Sequence, residues 1–131
     1  MSVSVSIIVP CYNVAAYLDQ CMESLTGQSM EDIEIICVND GSSDRTAEIL
    51  REWRNRDRRV RIIDQKNSGV SAARNSGMAA AAGTYIGFVD PDDMVERNMF
   101  QRLVTAAAEK EADVAVCGYH EFCDCGDMDM S

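Results

Sequence analysis

No uninterrupted apolar stretch in this 131-residue chain nears the roughly 20 residues needed to cross a bilayer. The start, Met1-Ser2-Val3-Ser4-Val5-Ser6, lacks the basic residues that open a secretory signal. Positive charge is scarce: 12 Lys and Arg stand against 22 Asp and Glu, for a net charge of −10. That balance excludes general nucleic-acid binding, because no basic surface dominates it. It also requires any phosphate ligand to be held locally, by a metal, an arginine or backbone amides. Histidine occurs once, at His120 near the end, where an incidental or structural role outweighs a catalytic one. Three signatures are missing as well. No Gly-x-Gly-x-x-Gly follows the first apolar run, which disfavours a dinucleotide-dependent oxidoreductase, and no Gly-x-x-x-x-Gly-Lys-Ser/Thr marks a phosphate-loop triphosphatase. Gly-x-Ser-x-Gly, the nucleophile elbow of Ser/His/Asp hydrolases, does not occur either.

What is present fits one domain with a real core, since 47% of the residues are hydrophobic. There are six cysteines. Cys11, Cys21, Cys37 and Cys117 lie in or beside apolar segments, where a thiol behaves as a small hydrophobe. Cys123-Asp124-Cys125 is too closely spaced for a zinc knuckle, and no second pair follows. A reduced, cytoplasmic protein is the expectation.

Strand-like runs at 3–9, 33–39, 60–64, 84–89 and 113–118 alternate with segments of helical spacing. The runs are mostly continuous and β-branched rather than alternating, which suits a parallel sheet covered on both faces. Val14, Leu18, Cys21, Met22 and Leu25 form one helical stripe, and Ala47, Leu50 and Trp53 a second. The segment 70–82 is alanine-rich and favours helix, and Met99, Phe100, Leu103, Val104 and Ala107 form the last stripe. The order βαβαβαβαβ with right-handed crossovers predicts an α/β fold: an open, mostly parallel, doubly wound, Rossmann-like sheet over residues 1–119. Residues 120–131 form an acidic tail without a clear period, as expected at a cut through a longer protein.

In such a sheet, ligands bind beyond the carboxyl ends of the strands. The first run ends in Pro10-Cys11-Tyr12-Asn13, the second in Asn39-Asp40-Gly41-Ser42-Ser43-Asp44 and the third in Gln65-Lys66-Asn67-Ser68-Gly69. The fourth ends in Asp90-Pro91-Asp92-Asp93, three carboxylates in four positions. Clustered like charges raise each other's pKa, and a hard divalent cation relieves them while bridging to phosphate oxygens. Asp90 and Asp92 are therefore read as a metal–diphosphate site. Asp93 has two readings, since Asp93-Met94-Val95-Glu96 also has the form of a helix cap with its reciprocal carboxylate. Gly41 to Asp44 are equally a turn with a helix cap, whereas Asp40 is favoured for ligand contact. Tyr12 is either core or a platform for a base. Arg74, the only basic residue in 70–82, is either solvated or part of the site.

Four motifs in order resemble the family 2 glycosyltransferases of the GT-A fold. They are Ser6-Ile7-Ile8-Val9-Pro10-Cys11-Tyr12-Asn13, Val38-Asn39-Asp40-Gly41-Ser42-Ser43-Asp44-Arg45-Thr46, Asn67-Ser68-Gly69-Val70-Ser71-Ala72-Ala73-Arg74-Asn75-Ser76-Gly77 and Phe88-Val89-Asp90-Pro91-Asp92-Asp93. The resemblance implies a nucleotide-sugar donor, most often a UDP-sugar, bound with Mn²⁺ or Mg²⁺. It puts Pro10 and Tyr12 at the base, with Asp40 bonded to it and Arg74 nearby. Asp90 would lie near ribose and metal, and Asp92 would bind the metal. Asn13, Asn67 and Gly69 belong to the same nucleotide-binding set. The family usually inverts the anomeric centre, using a carboxylate general base that follows the part matched here. Glu121, Asp124, Asp127 and Asp129 are late acids, but none sits in a matching motif. The expectation is thus a donor-binding half lacking its acceptor-binding part, able to bind UDP with metal but a poor transferase alone. The acceptor would be a glycan or a lipid-linked sugar in cell-surface polysaccharide synthesis, with the full protein at the inner face of the membrane. Two rivals are a non-catalytic nucleotide-sugar-binding module and a sugar-1-phosphate nucleotidyltransferase. The latter usually opens with a glycine-rich basic loop, which Pro10-Cys11-Tyr12-Asn13 does not resemble.

Overall fold

The computed structural model describes residues 3–109. Within them the chain runs β1 (Val5–Cys11), α1 (Ala15–Thr26), β2 (Ile33–Asp40), α2 (Thr46–Arg56), β3 (Val60–Gln65), α3 (Val70–Ala80), β4 (Tyr85–Phe88) and α4 (Met99–Glu109). The strands form one parallel sheet in the order β3-β2-β1-β4. This is the doubly wound arrangement expected from the alternation of runs. The anticipated strand at 113–118 and the tail at 120–131 lie outside the described residues.

β1 and β2 are buried along their whole length, so both faces are largely apolar and the few polar side chains on them must be hydrogen-bonded. Side chains two apart share a face. Val5, Ile7, Val9 and Cys11 of β1 join Ile33, Ile35 and Cys37 of β2 in a core completed by Leu18, Met22 and Leu25 of α1, Leu50 and Trp53 of α2, and Phe100 and Leu103 of α4. Ile8, Ile36 and Val38 point the other way, onto Ala73 of α3. Each such fully buried Ile or Leu contributes roughly 1.5–3 kcal/mol. Small residues let α3 lie close to the sheet. A Cβ on Gly77 would meet Ile8 Cγ2 at 2.5 Å, so only glycine fits there.

A buried carboxylate ties the return from α3 to the sheet. Glu34 accepts hydrogen bonds from Ser6 Oγ (2.5 Å), Arg61 (2.8 Å) and the Ala82 amide (2.7 Å). Ser6 Oγ accepts in turn from the Gly83 amide at 2.8 Å. Burial alone pushes the Glu34 carboxyl up, but these bonds outweigh it and hold the group below the usual carboxylate range.

The chain leaves β1 toward β2 on one side and later crosses to β4 on the other. The carboxyl ends of β1 and β4 therefore flank the switch point, where open α/β sheets place their ligands.

Candidate functional site

Three loops meet beyond the strand tips. Asn13 follows β1 with φ of +52°, a left-handed conformation that asparagine tolerates better than most residues. Its Oδ1 accepts from the amides of Ser43 (2.8 Å) and Asp44 (3.3 Å), and its own amide donates to Ser42 Oγ (3.0 Å). Asp44 then serves two helices, accepting from Thr46 N at the start of α2 (2.9 Å) and Ala15 N at the start of α1 (3.2 Å). Desolvation pushes its carboxyl up, yet the Thr46 and Ala15 bonds win and hold it low. The capping reading of the 41–44 stretch thus holds for Asp44. Asn13 acts as a clamp on the neighbouring loop and is not among the residues lining the cleft described next.

Asp40, at the tip of β2, is buried at 4% exposure. Its Oδ1 accepts from Gln65 Nε2 (2.9 Å) and Ser68 N (2.8 Å), and its Oδ2 from Gly69 N (3.0 Å). Gln65 in turn accepts from Ser76 Oγ of α3 at 2.6 Å. Gln65 and the two loop amides hold the Asp40 carboxyl below its ordinary range despite the opposing effect of burial. The 66–69 loop is thereby pinned against β2, and Gly69 enters α3 with φ +99° and ψ 163°, a region only glycine adopts readily. Beside this loop opens a cleft of about 270 Å³ lined by Pro10, Cys11, Tyr12, Asp40, Asn67, Gly69, Val70 and Ala73. Five of the residues expected from the strand ends, Pro10, Tyr12, Asp40, Asn67 and Gly69, are brought together there. Tyr12 is half-exposed and offers a ring to an occupant. Cys11, Val70 and Ala73 were missed as walls, because they read as ordinary strand and helix positions and the sequence does not say which helix face looks into the cleft.

Gly41 keeps the two tips in contact. Its φ is +73°, and a Cβ there would come within 2.6 Å of the Asn67 amide nitrogen. Gly41→Ala is expected to destabilise the fold by about 1–3 kcal/mol through backbone strain. It should also displace Asn67 from the cleft. Urea unfolding and nucleotide titration of the variant check both effects.

After β4 the chain makes a tight turn, closed by Asp93 N donating to Asp90 O at 3.0 Å. α4 begins only at Met99, so Asp93 closes this turn and does not cap a helix. The carboxylates of Asp90, Asp92 and Asp93 each bring an oxygen into a group whose members lie within 4.8 Å of one another. All-oxygen donors of this kind suit a hard divalent cation such as Mg²⁺ or Mn²⁺. The nearby Cys21 thiol donates to the Asp90 carbonyl at 3.8 Å. Burial, and then the neighbouring acidic groups, push its pKa far above the ordinary thiol value. Arg74 reaches over from α3, its guanidinium 3.7 Å from Asp90 Oδ1 and 6.0 Å from the Phe88 ring centroid. Val70, one turn of α3 before it, and the adjacent Ala73 wall the cleft. This helix therefore joins the aromatic cleft to the acidic turn.

The sequence profile of "Glycosyl transferase family 2" matches residues 6–129. The chain is 52% identical over 117 residues to the uncharacterized glycosyltransferase EpsJ of Bacillus subtilis, covering 89% of this chain and 34% of that protein. Among solved structures, S. aureus TarS 1–349 in complex with UDP-GlcNAc superposes with a TM-score of 0.77 at 28% identity, over 82% of this chain and 32% of that one. A mannosyltransferase of Pyrobaculum calidifontis, solved with GDP-Man and Mn²⁺, shares the fold with a TM-score of 0.76 at 22% identity. The chain thus spans about a third of the length of these proteins. With a four-stranded parallel GT-A sheet among its described residues and a profile match across nearly all of its length, the chain belongs to glycosyl transferase family 2.

Proposed function

We propose that this chain is the donor-binding part of an enzyme that transfers a sugar from a nucleotide-sugar, best fitted by a UDP-sugar, to an acceptor hydroxyl with inversion. One observation carries the reading: the aromatic cleft and the acidic turn stand side by side at the switch point, joined by α3. TarS, whose fold this chain shares, is solved with UDP-GlcNAc. In the proposed arrangement the nucleoside occupies the cleft, with Tyr12 against the base and Pro10 behind it. Asp40 fixes the 66–69 loop, so that Asn67 and Gly69 face the nucleoside in a set geometry. Asn13 ties the end of β1 to the 42–44 loop beside the cleft.

Asp92 and Asp90 are the proposed holders of Mn²⁺ or Mg²⁺, with Asp93 within reach. A divalent cation there supplies neutralisation of the charge that grows on the departing diphosphate. The acceptor oxygen forms its bond to the anomeric carbon as the sugar–phosphate bond breaks. The hydroxyl proton passes to a carboxylate general base. We assign that base, and recognition of a glycan or lipid-linked acceptor, to the part of the protein beyond the donor domain at 1–119. A place in polysaccharide synthesis at the inner face of the membrane follows from that acceptor class. No helix among the described residues is long and apolar enough to cross a membrane.

Calorimetry of the chain with UDP, with Mn²⁺ and with EDTA, tests the reading. Binding is expected with the metal and near the detection limit without it. Equal binding in both conditions, or none in either, counts against it.

A further inference from the structure

Arg74 has an unmet requirement. Its Nε is buried and has no hydrogen-bond partner, a costly state for a charged group. Its terminal nitrogen stands 3.7 Å from Asp90 Oδ1, outside hydrogen-bonding reach. Both side chains are partly exposed, at 42% and 46%. A pair this loose and this wet is worth no more than about fivefold in an equilibrium. The fold thus sets a cation beside the first carboxylate of the acidic turn without committing it there. The close packing of α3 on the sheet, where a Cβ on Gly77 would clash with Ile8, fixes the backbone that carries Arg74 beside the turn and leaves its side chain free to swing.

Building on the metal–diphosphate reading above, we propose that Arg74 is a placeholder cation for Asp90 that couples metal binding to nucleotide binding. While the acidic turn holds no ion, Arg74 offsets the charge of Asp90 and so competes with an incoming divalent cation. Once that cation engages Asp90, the guanidinium is repelled from the turn and its donors turn to an anionic oxygen of the diphosphate. The ion pair that is lost is weak, and the charge-assisted bond that replaces it is stronger. Metal and nucleotide then favour each other's binding by the same factor, as linkage requires. Arg74 acts on the metal through Asp90 and is a positioning residue in that respect.

The test follows Mn²⁺ directly, by the loss of the free-ion electron paramagnetic resonance signal, on the whole chain with and without UDP. Arg74→Met is expected to tighten nucleotide-free Mn²⁺ binding about threefold to fivefold, because it removes the competing charge. The same variant should weaken the enhancement of Mn²⁺ binding by UDP. Arg74→Lys keeps the charge and should leave nucleotide-free Mn²⁺ binding near that of the parent. Arg74→Gln gives a second neutral side chain should methionine disturb packing. In an Asp90→Asn background the gain from Arg74→Met should vanish. The proposal is overturned if both neutral variants leave Mn²⁺ affinity unchanged or weaken it, or if the gain persists without Asp90. A parent chain that binds UDP only with Mn²⁺ while the variants behave alike sinks this inference alone. A parent chain that binds neither sinks the functional reading with it.

Discussion

Asp92→Ala lowers the Mn²⁺-dependent affinity for UDP by at least about a hundredfold, given that even outer-shell partners of metal ligands are worth roughly 10–100-fold. Asp92 is exposed on the turn after β4 and takes no part in the packed core. Its removal should therefore shift unfolding by no more than about 0.5 kcal/mol, the usual range for surface positions. That separation gives the experiment its force, because binding collapses while the fold stands. Asp90→Ala would be less clean, since it also strips Arg74 of its counter-charge. Calorimetry with Mn²⁺ and UDP, beside thermal unfolding of the same samples, reads both quantities. Retention of UDP affinity within about threefold would remove Asp92 from the metal site.

Much of the site was legible because its residues sit where strands stop. A continuous β-branched run announces a strand buried on both faces, and its end is marked by a change to Asn, Asp, Ser and Gly. β1 to β4 follow this rule to within two residues at each boundary. The failures came where distant residues override local signals. Asp93-Met94-Val95-Glu96 has a cap's spelling, yet Pro91 in the second position of a turn favours closure at Asp93 instead. α1 and the turn after it then capture the backbone that follows. Ser24 Oγ accepts from Val95 N at 3.2 Å, and Gln28 Nε2 donates to Glu96 O at 2.7 Å. Buried Gln28 also accepts from Phe100 N at 3.1 Å, serving the start of α4 from just beyond the end of α1. No local pattern announces a cap supplied from seventy-odd residues away in sequence. Asn13 shows another long-range role that its motif does not announce: besides its place on the rim, its side-chain carbonyl accepts from the amides of Ser43 and Asp44, some thirty residues on.

Asp40→Asn should cost about 2 kcal/mol of stability at neutral pH, in keeping with hydrogen bonds to a charged group being worth roughly 1.5–3 kcal/mol. The carboxylate accepts three hydrogen bonds through its two oxygens. An amide keeps one acceptor oxygen and must turn its NH₂ toward a donor, either the Gly69 amide or the Gln65 and Ser68 pair. The sign of the pH dependence follows from the depressed pKa of Asp40 in the folded chain. The folded state holds its proton less tightly than the unfolded state, whose pKa is about 3.9. The stabilisation is therefore complete above about pH 4 to 5 and fades as pH falls through the lower, folded value. The variant's amide does not titrate, so the gap between parent and variant should be widest near pH 7 and close below about pH 4. Glu34, Asp44 and Asp57 are also held low and weaken the fold in acid, but they do so in both proteins and cancel in the difference. Urea unfolding of the two chains at pH 7 and pH 3 measures that difference, and parallel stability curves would show that the carboxylate's charge contributes nothing. UDP affinity should fall together with the stability difference at neutral pH. The same three bonds that stabilise the fold also hold the Asn67 to Gly69 wall of the cleft.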